Sequence, residues 1–182
     1  MKKLALFLDR DGVINVDHGY VHTPEKFEFV DGIFEIVAAA NKAGYLVIVV
    51  TNQAGIGRGY YSEAQFHALT DWMKTKFIEN GGRIDAVYFC PYHPEYGVGK
   101  YRRESDCRKP APGMILTAMR DFDIDLGKSI LVGDSLKDIY AANASGIGQV
   151  FMFRAVEKLS VNTARCTQIF KLTSVIPYLI KN

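Results

Sequence analysis

The sequence predicts an α/β fold: a three-layer, Rossmann-like parallel sheet with helices on both faces, organised as one domain over residues 1–182. Three observations predict it. Short apolar runs of strand length alternate with longer segments of helical periodicity. No two consecutive strand-like runs are joined by a hairpin turn, so the strands must connect through crossovers, as a parallel sheet requires. The polar, chemistry-bearing residues follow directly on the apolar runs, where open α/β sheets hold their ligands.

The elements follow in order. Residues 4–8 (Leu-Ala-Leu-Phe-Leu) are wholly apolar and read as a strand buried on both faces. A polar loop leads to a helical pattern near 31–43, closed by Gly44. Residues 45–50 (Tyr-Leu-Val-Ile-Val-Val) form a second buried strand, too short and too β-branched for most helices. Ser62, with Gln65 three positions on, reads as a capping box that opens a helix to about Glu79, stopped by Asn80-Gly81-Gly82. Residues 86–89 are a strand, followed by a loop over 90–112 rich in proline, glycine and charge. A helix runs from there to about Phe122. Residues 129–132 are a strand, 136–144 a helix stopped by Gly146, and 149–153 a further strand. A last strand and helix fill the tail.

The bulk numbers fit one soluble globular unit. A chain of 182 residues buries roughly 70% of the surface that its unfolded form exposes. Twenty-two lysines and arginines stand against 20 aspartates and glutamates, a net charge of +2 without a clustered basic stripe, which argues against a nucleic-acid partner. No apolar run approaches the length of a membrane span. The apolar run behind Met1-Lys2-Lys3 meets Asp9 too soon to be a signal peptide. Cys90, Cys107 and Cys166 are an odd set without scaffold-like spacing, as expected in a reducing cytoplasm.

Four clusters carry chemistry. Asp9-Arg10-Asp11-Gly12 follows the first strand; the i, i+2 spacing puts both carboxylates on one side, where they repel unless a cation sits between them. Thr51-Asn52-Gln53 follows the second strand, Arg108-Lys109-Pro110 lies in the long loop, and Gly133-Asp134-Ser135-Leu136-Lys137-Asp138 follows the fourth strand. Each alone reads as a polar turn, a solvated loop charge or a helix cap. Together, at one edge of a parallel sheet, they place carboxylates for Mg²⁺, neutral donors and a fixed cation around a nucleophilic aspartate. That is a site for phosphoryl transfer, which needs positioning and charge neutralisation.

These motifs resemble the haloacid-dehalogenase-like (HAD-like) phosphohydrolases, whose pattern matches Asp9-x-Asp11, Thr51, Lys109 and Gly133-Asp134-x3-Asp138 across almost the whole chain. Within that superfamily the stretches around 7–12, 14–21, 50–56 and 106–110 resemble the D-glycero-D-manno-heptose 1,7-bisphosphate 7-phosphatase family, with histidinol-phosphate phosphatases as nearest siblings. The resemblance implies a Mg²⁺-dependent phosphatase that removes the 7-phosphate through an aspartyl-phosphate, in the supply of activated heptose for lipopolysaccharide. It implies Asp9 as nucleophile, Asp11 as acid and base, and Thr51 and Lys109 as holders of the phosphoryl group. Arg108 is implied in substrate recognition, and Asp17, His18, Gly19, Tyr20, Asn52, Gln53 and Ala54 around the sugar. Mg²⁺ is expected on Asp9, Asp134 and the backbone carbonyl of Asp11, with Asp138 beside it. No large insertion interrupts the motifs, so no separate cap domain is expected, and a cytoplasmic monomer with a small sugar-phosphate substrate is.

The family carries a zinc site in the 90–112 loop, bound by Cys-x-His and Cys-x-Cys. Here Tyr92 stands where the histidine belongs and Ser105 where a cysteine belongs. Cys90, His93 and Cys107 remain, three ligands at most against the four that a closed site needs, so zinc is not expected. Three other readings stay open: a histidinol-phosphate phosphatase, a polynucleotide 3′-phosphatase, and a non-catalytic phosphosugar-binding module.

Overall fold

The computed structural model describes residues 2–154 and 165–179. Every strand in it belongs to one parallel sheet: β1 (Ala5–Leu8), β2 (Leu46–Asn52), β3 (Ala86–Cys90), β4 (Ile130–Gly133), β5 (Gln149–Phe153) and β6 (Thr167–Ile169), in the spatial order β3-β2-β1-β4-β5-β6. The order reverses at β1, which lies between β2 and β4. That reversal opens the crevice in which doubly wound folds bind ligands.

Alternation along the strands sorts the core into two halves. Leu6, Leu8, Val47, Val49, Ile130 and Val132 pack on one face against α1 (Ile33–Lys42) and α3 (Glu63–Glu79). Ala5, Phe7, Ile48, Val50 and Leu131 point the other way, against α4 (Gly113–Phe122) and α5 (Leu136–Ser145). A strand covered on both sides needs no polar alternation, which is why these runs read as unbroken apolar stretches. The three layers expected from the sequence are present.

Boundaries differ in informative places. β2 runs two residues past Val50, so Thr51 and Asn52 are its last strand positions rather than a following turn. Pairing with Phe89 and Cys90 of β3 extends the strand that far. A short helix, α2 (Ala54–Gly57), follows at once and was not anticipated. Its four residues are too few for any periodicity to register. The expected tail helix is a 3₁₀ turn over Leu172–Tyr178 containing Pro177, which has no N–H to donate into an α-helical ladder.

The capping box predicted at Ser62 is formed: Ser62 Oγ accepts from the Gln65 N–H at 3.1 Å, and Gln65 Oε1 accepts from the Ser62 N–H at 2.8 Å. Replacing Ser62 with alanine is expected to lower stability by about 1 kcal/mol, read as a shift in the urea midpoint without a change of slope. The site lies elsewhere, so turnover in the variant should match that of the unaltered protein.

Candidate active site

The site forms at the carboxyl ends of β1, β2 and β4, over a cleft of about 530 Å³. Asp9 stands just beyond β1, its N–H bonded to the Val132 carbonyl of β4 at 3.1 Å. Gly12 then turns the chain with φ +89°; a Cβ there would lie 1.9 Å from Asp134 Oδ2, so only glycine lets this loop close on β4. Gly133, the last residue of β4, is in the same position toward Asp138, whose Cβ would lie 2.2 Å from a Cβ at 133.

Lys109 is the centre of the charge arrangement. It is 3% exposed, and its Nζ lies 2.9 Å from Asp9 Oδ1 and 2.6 Å from Asp138 Oδ1 and donates to the Val50 carbonyl at 2.8 Å. Burial alone would strip its proton; Asp138 and Asp9 outweigh burial and hold its pKa above the usual lysine range. Asp138 responds in the opposite sense: burial opposes ionisation, but the Lys109 ammonium prevails and keeps the carboxyl below the ordinary aspartate value. Asp138 Oδ2 also accepts from Ser135 N–H at 3.1 Å and Ser135 Oγ at 2.7 Å, so the residue that caps α5 also neutralises Lys109.

The loop that carries Lys109 is fixed by Asn52. Its Nδ2 donates to the Lys109 carbonyl and its Oδ1 accepts from the Lys109 N–H, both at 3.0 Å. Asn52 was expected to face the sugar. It borders the cleft, but its amide is engaged at both ends in positioning Lys109.

Asp11 is held separately. Arg10 Nη2 donates to both of its carboxylate oxygens at 2.9 and 3.0 Å, and Asn15 Nδ2 and Gln53 Nε2 add bonds at 3.1 and 3.0 Å. Gln53 Nε2 also donates to Thr51 Oγ1 at 2.8 Å, and Gln53 Oε1 accepts from the Tyr61 hydroxyl. Thr51, Gln53, Asn15 and Arg10 are all buried. The Asp11 side chain is therefore oriented by three neighbours and sits apart from the Asp9 carboxylate cluster.

Arg10, Asn15 and Tyr61 were not singled out from sequence. Arg10 is 1% exposed, donates to the Val21 carbonyl at 2.7 Å and lies over the Phe66 ring. An arginine between two aspartates reads as a solvated charge, and nothing local marks it as buried.

Among the described residues one group of acidic, histidine or cysteine side chains is close enough to share a metal: Asp9, Asp134 and Asp138, with one oxygen from each within 4.8 Å of the others. Asp138 is committed to Lys109 and Ser135, and Asp9 gives Lys109 only its Oδ1, which leaves Asp9 Oδ2 and the Asp134 carboxylate without an ion-pair partner among the described residues. Burial, then the nearby Asp138 charge, pushes Asp134 up to about 7 and raises Asp9 as well. Hard oxygen donors with uncompensated negative charge fit Mg²⁺.

Asp17, Gly19, Tyr20, Gln53, Ala54 and Arg108 border the cleft as expected. His18 does not: its Nε2 lies 2.9 Å from Glu28 Oε2 on the exposed outer side of the loop, where a carboxylate ten residues on captures it. Arg58, His93 and Lys137 join the lining and had not been anticipated there. In the long loop, His93 Nδ1 accepts from the Glu95 and Tyr96 N–H groups at 3.2 and 3.1 Å. Cys107 Sγ lies 3.0 Å from Ser105 Oγ, and its hydrogen bonds from the Cys90 thiol and from Ser105 lower its pKa to about 6.

A HAD-hydrolase-like family profile matches residues 106–164. The chain is 57% identical over 179 residues to the D-glycero-alpha-D-manno-heptose-1,7-bisphosphate 7-phosphatase of Burkholderia mallei, covering 98% of this chain and 95% of that protein. It is 52% identical to the D-glycero-beta-D-manno-heptose-1,7-bisphosphate 7-phosphatase of Vibrio cholerae over 85% of this chain and 83% of that one. The crystal structure of the D,D-heptose 1,7-bisphosphate phosphatase of B. bronchiseptica with magnesium and phosphate superposes with a TM-score of 0.83, at 31% identity and 98% coverage of both chains. A HAD-like phosphatase structure from Mesorhizobium loti gives 0.89 at 34% identity, covering 98% of this chain and 87% of the other.

The raised carboxyl of Asp134 sets a pH dependence. A folded-state pKa of about 7 lies above the unfolded value of about 4, so between the two the folded protein holds more protons than the unfolded chain. Stability from this group is full at low pH and is lost as pH rises through 7. The melting temperature in chelator should therefore fall between about pH 5 and about pH 8. Millimolar Mg²⁺ should raise it more at the upper end, where no proton has to be displaced. Calorimetry at the two pH values with and without Mg²⁺ checks both signs.

Proposed function

This chain belongs to the D-glycero-D-manno-heptose-1,7-bisphosphate 7-phosphatase family of HAD-like hydrolases, and on that premise we propose that it hydrolyses the 7-phosphate of D-glycero-D-manno-heptose 1,7-bisphosphate. The observation that carries the reading is the Asp9–Lys109–Asp138 charge chain beside Asp134, at the edge where Thr51 and Asp11 also end.

The geometry supports the following roles. Asp9 is the nucleophile: Lys109 holds Oδ1 at 2.9 Å and fixes the carboxylate at the cleft floor. Its oxygen attacks phosphorus and forms an aspartyl-phosphate as the sugar alkoxide departs. Asp11, oriented by Arg10, Asn15 and Gln53, gives its proton to that leaving oxygen and later takes one from the attacking water. Thr51 Oγ1 accepts from Gln53, which leaves its own hydrogen free for a phosphoryl oxygen. Lys109 supplies a permanent positive charge to the same group. Mg²⁺, held by Asp9, Asp134 and the Asp11 carbonyl, supplies further charge neutralisation when bound. Arg108 recognises the substrate's distal phosphate, its guanidinium tethered to the Tyr92 carbonyl at 3.2 Å.

We place the activity in one domain over 1–182, monomeric and cytoplasmic, supplying activated heptose for lipopolysaccharide. No helix among the described residues is long and apolar enough to cross a membrane. The 90–112 loop is taken to work without zinc. His93 Nδ1 is occupied by two backbone donors, and Ser105 and Tyr92 hold the positions of two ligands.

Three experiments test the reading. Phosphate release should be fastest from the heptose bisphosphate, slower from histidinol phosphate and absent from a nicked oligonucleotide; the reverse order between the first two makes the chain a histidinol-phosphate phosphatase. Asp9→Asn should abolish release and also the acid-stable label left on the protein by ³²P-substrate; unchanged turnover excludes covalent catalysis through Asp9. Metal analysis of purified protein should find zinc well below one equivalent, and a stoichiometric amount overturns the zinc-free loop.

A further inference from the structure

Three cations at the cleft rim have no carboxylate within ion-pair distance among the described residues: Arg58, Arg108 and Lys137. The cleft floor is acidic, with Lys109 already neutralised, so the rim is where uncompensated positive charge collects. Arg58 is the most constrained of the three. It ends α2, its guanidinium carbon lies 4.3 Å from the Tyr96 ring centre and 5.8 Å from that of Tyr20, and its buried Nε has no hydrogen-bond partner. A buried guanidinium nitrogen without an acceptor is costly unless a ligand supplies one. The two rings fix the guanidinium plane by cation–π contact while leaving its donors unengaged.

Tyr20 adds an independent sign. Its φ of 54° is in the left-handed region, which a bulky side chain seldom adopts. Strain of that kind persists where the surroundings impose it, and it clusters at ligand clamps. Here it turns the ring against Arg58 and edge-on to Tyr60, at 4.7 Å between centres, and onto the cleft. His93 registers the same convergence: after burial, Arg108, Arg58 and Lys137 all hold its pKa below the usual histidine value.

We infer that Arg58, buttressed by Tyr20 and Tyr96 and assisted by Lys137, binds the phosphate of the sugar bisphosphate that is not cleaved, and so sets the preference for bisphosphate over monophosphate. The inference rests on the sugar-bisphosphate reading above and adds two residues to Arg108. A planar guanidinium with free donors matches the geometry of a phosphate, and the exposed Lys137 contributes a point charge from the first turn of α5.

The test compares kcat and KM for the heptose 1,7-bisphosphate and the heptose 7-monophosphate. Arg58→Gln should raise KM for the bisphosphate about tenfold or more beyond its effect on the monophosphate, with kcat changed by less than about twofold. Arg58→Lys should recover part of the loss. Lys137→Met, on an exposed position that cannot disturb the fold, should give a smaller rise of about two- to fivefold with the same substrate bias. Thermal melting of each variant monitors folding. Equal losses on both substrates in Arg58→Gln and no bias in Lys137→Met overturn the clamp while leaving the phosphatase reading in place. An unaltered enzyme without preference for the bisphosphate overturns both.

Discussion

The site depends on one buried ammonium. Lys109 lies among carboxylates that would otherwise repel one another at the end of a core strand, and its charge is fixed by Asp9 and Asp138. Remove the ammonium and three acids within 4.8 Å are left with one cation site between them. Remove an acid and the ammonium has too little to offset its desolvation. The arrangement holds because each partner is anchored on a different element: Asp9 behind β1, Lys109 on the long loop, Asp138 in the first turn of α5. The sheet fixes the first, the strand-end amide of Asn52 the second, and Ser135 the third.

Strand order does the gathering. With β1 flanked by β2 and β4, three strand ends meet within one crevice, and residues more than a hundred positions apart become neighbours without any long-range device beyond sheet pairing. The loop over 90–112 is the exception, since no strand carries Lys109 into place. Asn52 substitutes for one by pairing with the loop backbone as a strand neighbour does. The cleft lining holds both a carboxylate cluster and cations without ion-pair partners among the described residues, a combination suited to a substrate with an anionic group at each end.

Much of this was legible in the sequence because the signals were physical and local. Buried strands announce themselves as apolar runs, and polar residues directly after such runs must lie at the sheet edge. That logic located Asp9, Thr51 and Asp134. It located Ser62 and Gln65 because a capping box is a four-residue pattern. It missed Arg10, Asn15 and Arg58, because the burial of a charged or polar side chain depends on contacts remote in the chain. His18, expected around the sugar, instead pairs with Glu28 on the exposed side of its loop. The same logic set β2 two residues short, because Thr51 and Asn52 are held in the strand by β3 rather than by their own propensity. The expected tail helix is a 3₁₀ turn, because Pro177 has no N–H to donate into an α-helical ladder.

One carboxylate, that of Asp138, caps α5 through Oδ2 and pairs Lys109 through Oδ1. Position 138 is consequently closed to drift from two directions. Asparagine could satisfy the cap but would leave the ammonium a counter-charge short. Glutamate, the commoner residue at this place in a capping box, carries an extra methylene that must fit where the Gly133 backbone already crowds the aspartate. Related chains that keep this lysine should therefore keep both the aspartate and the glycine, and should change them together or not at all.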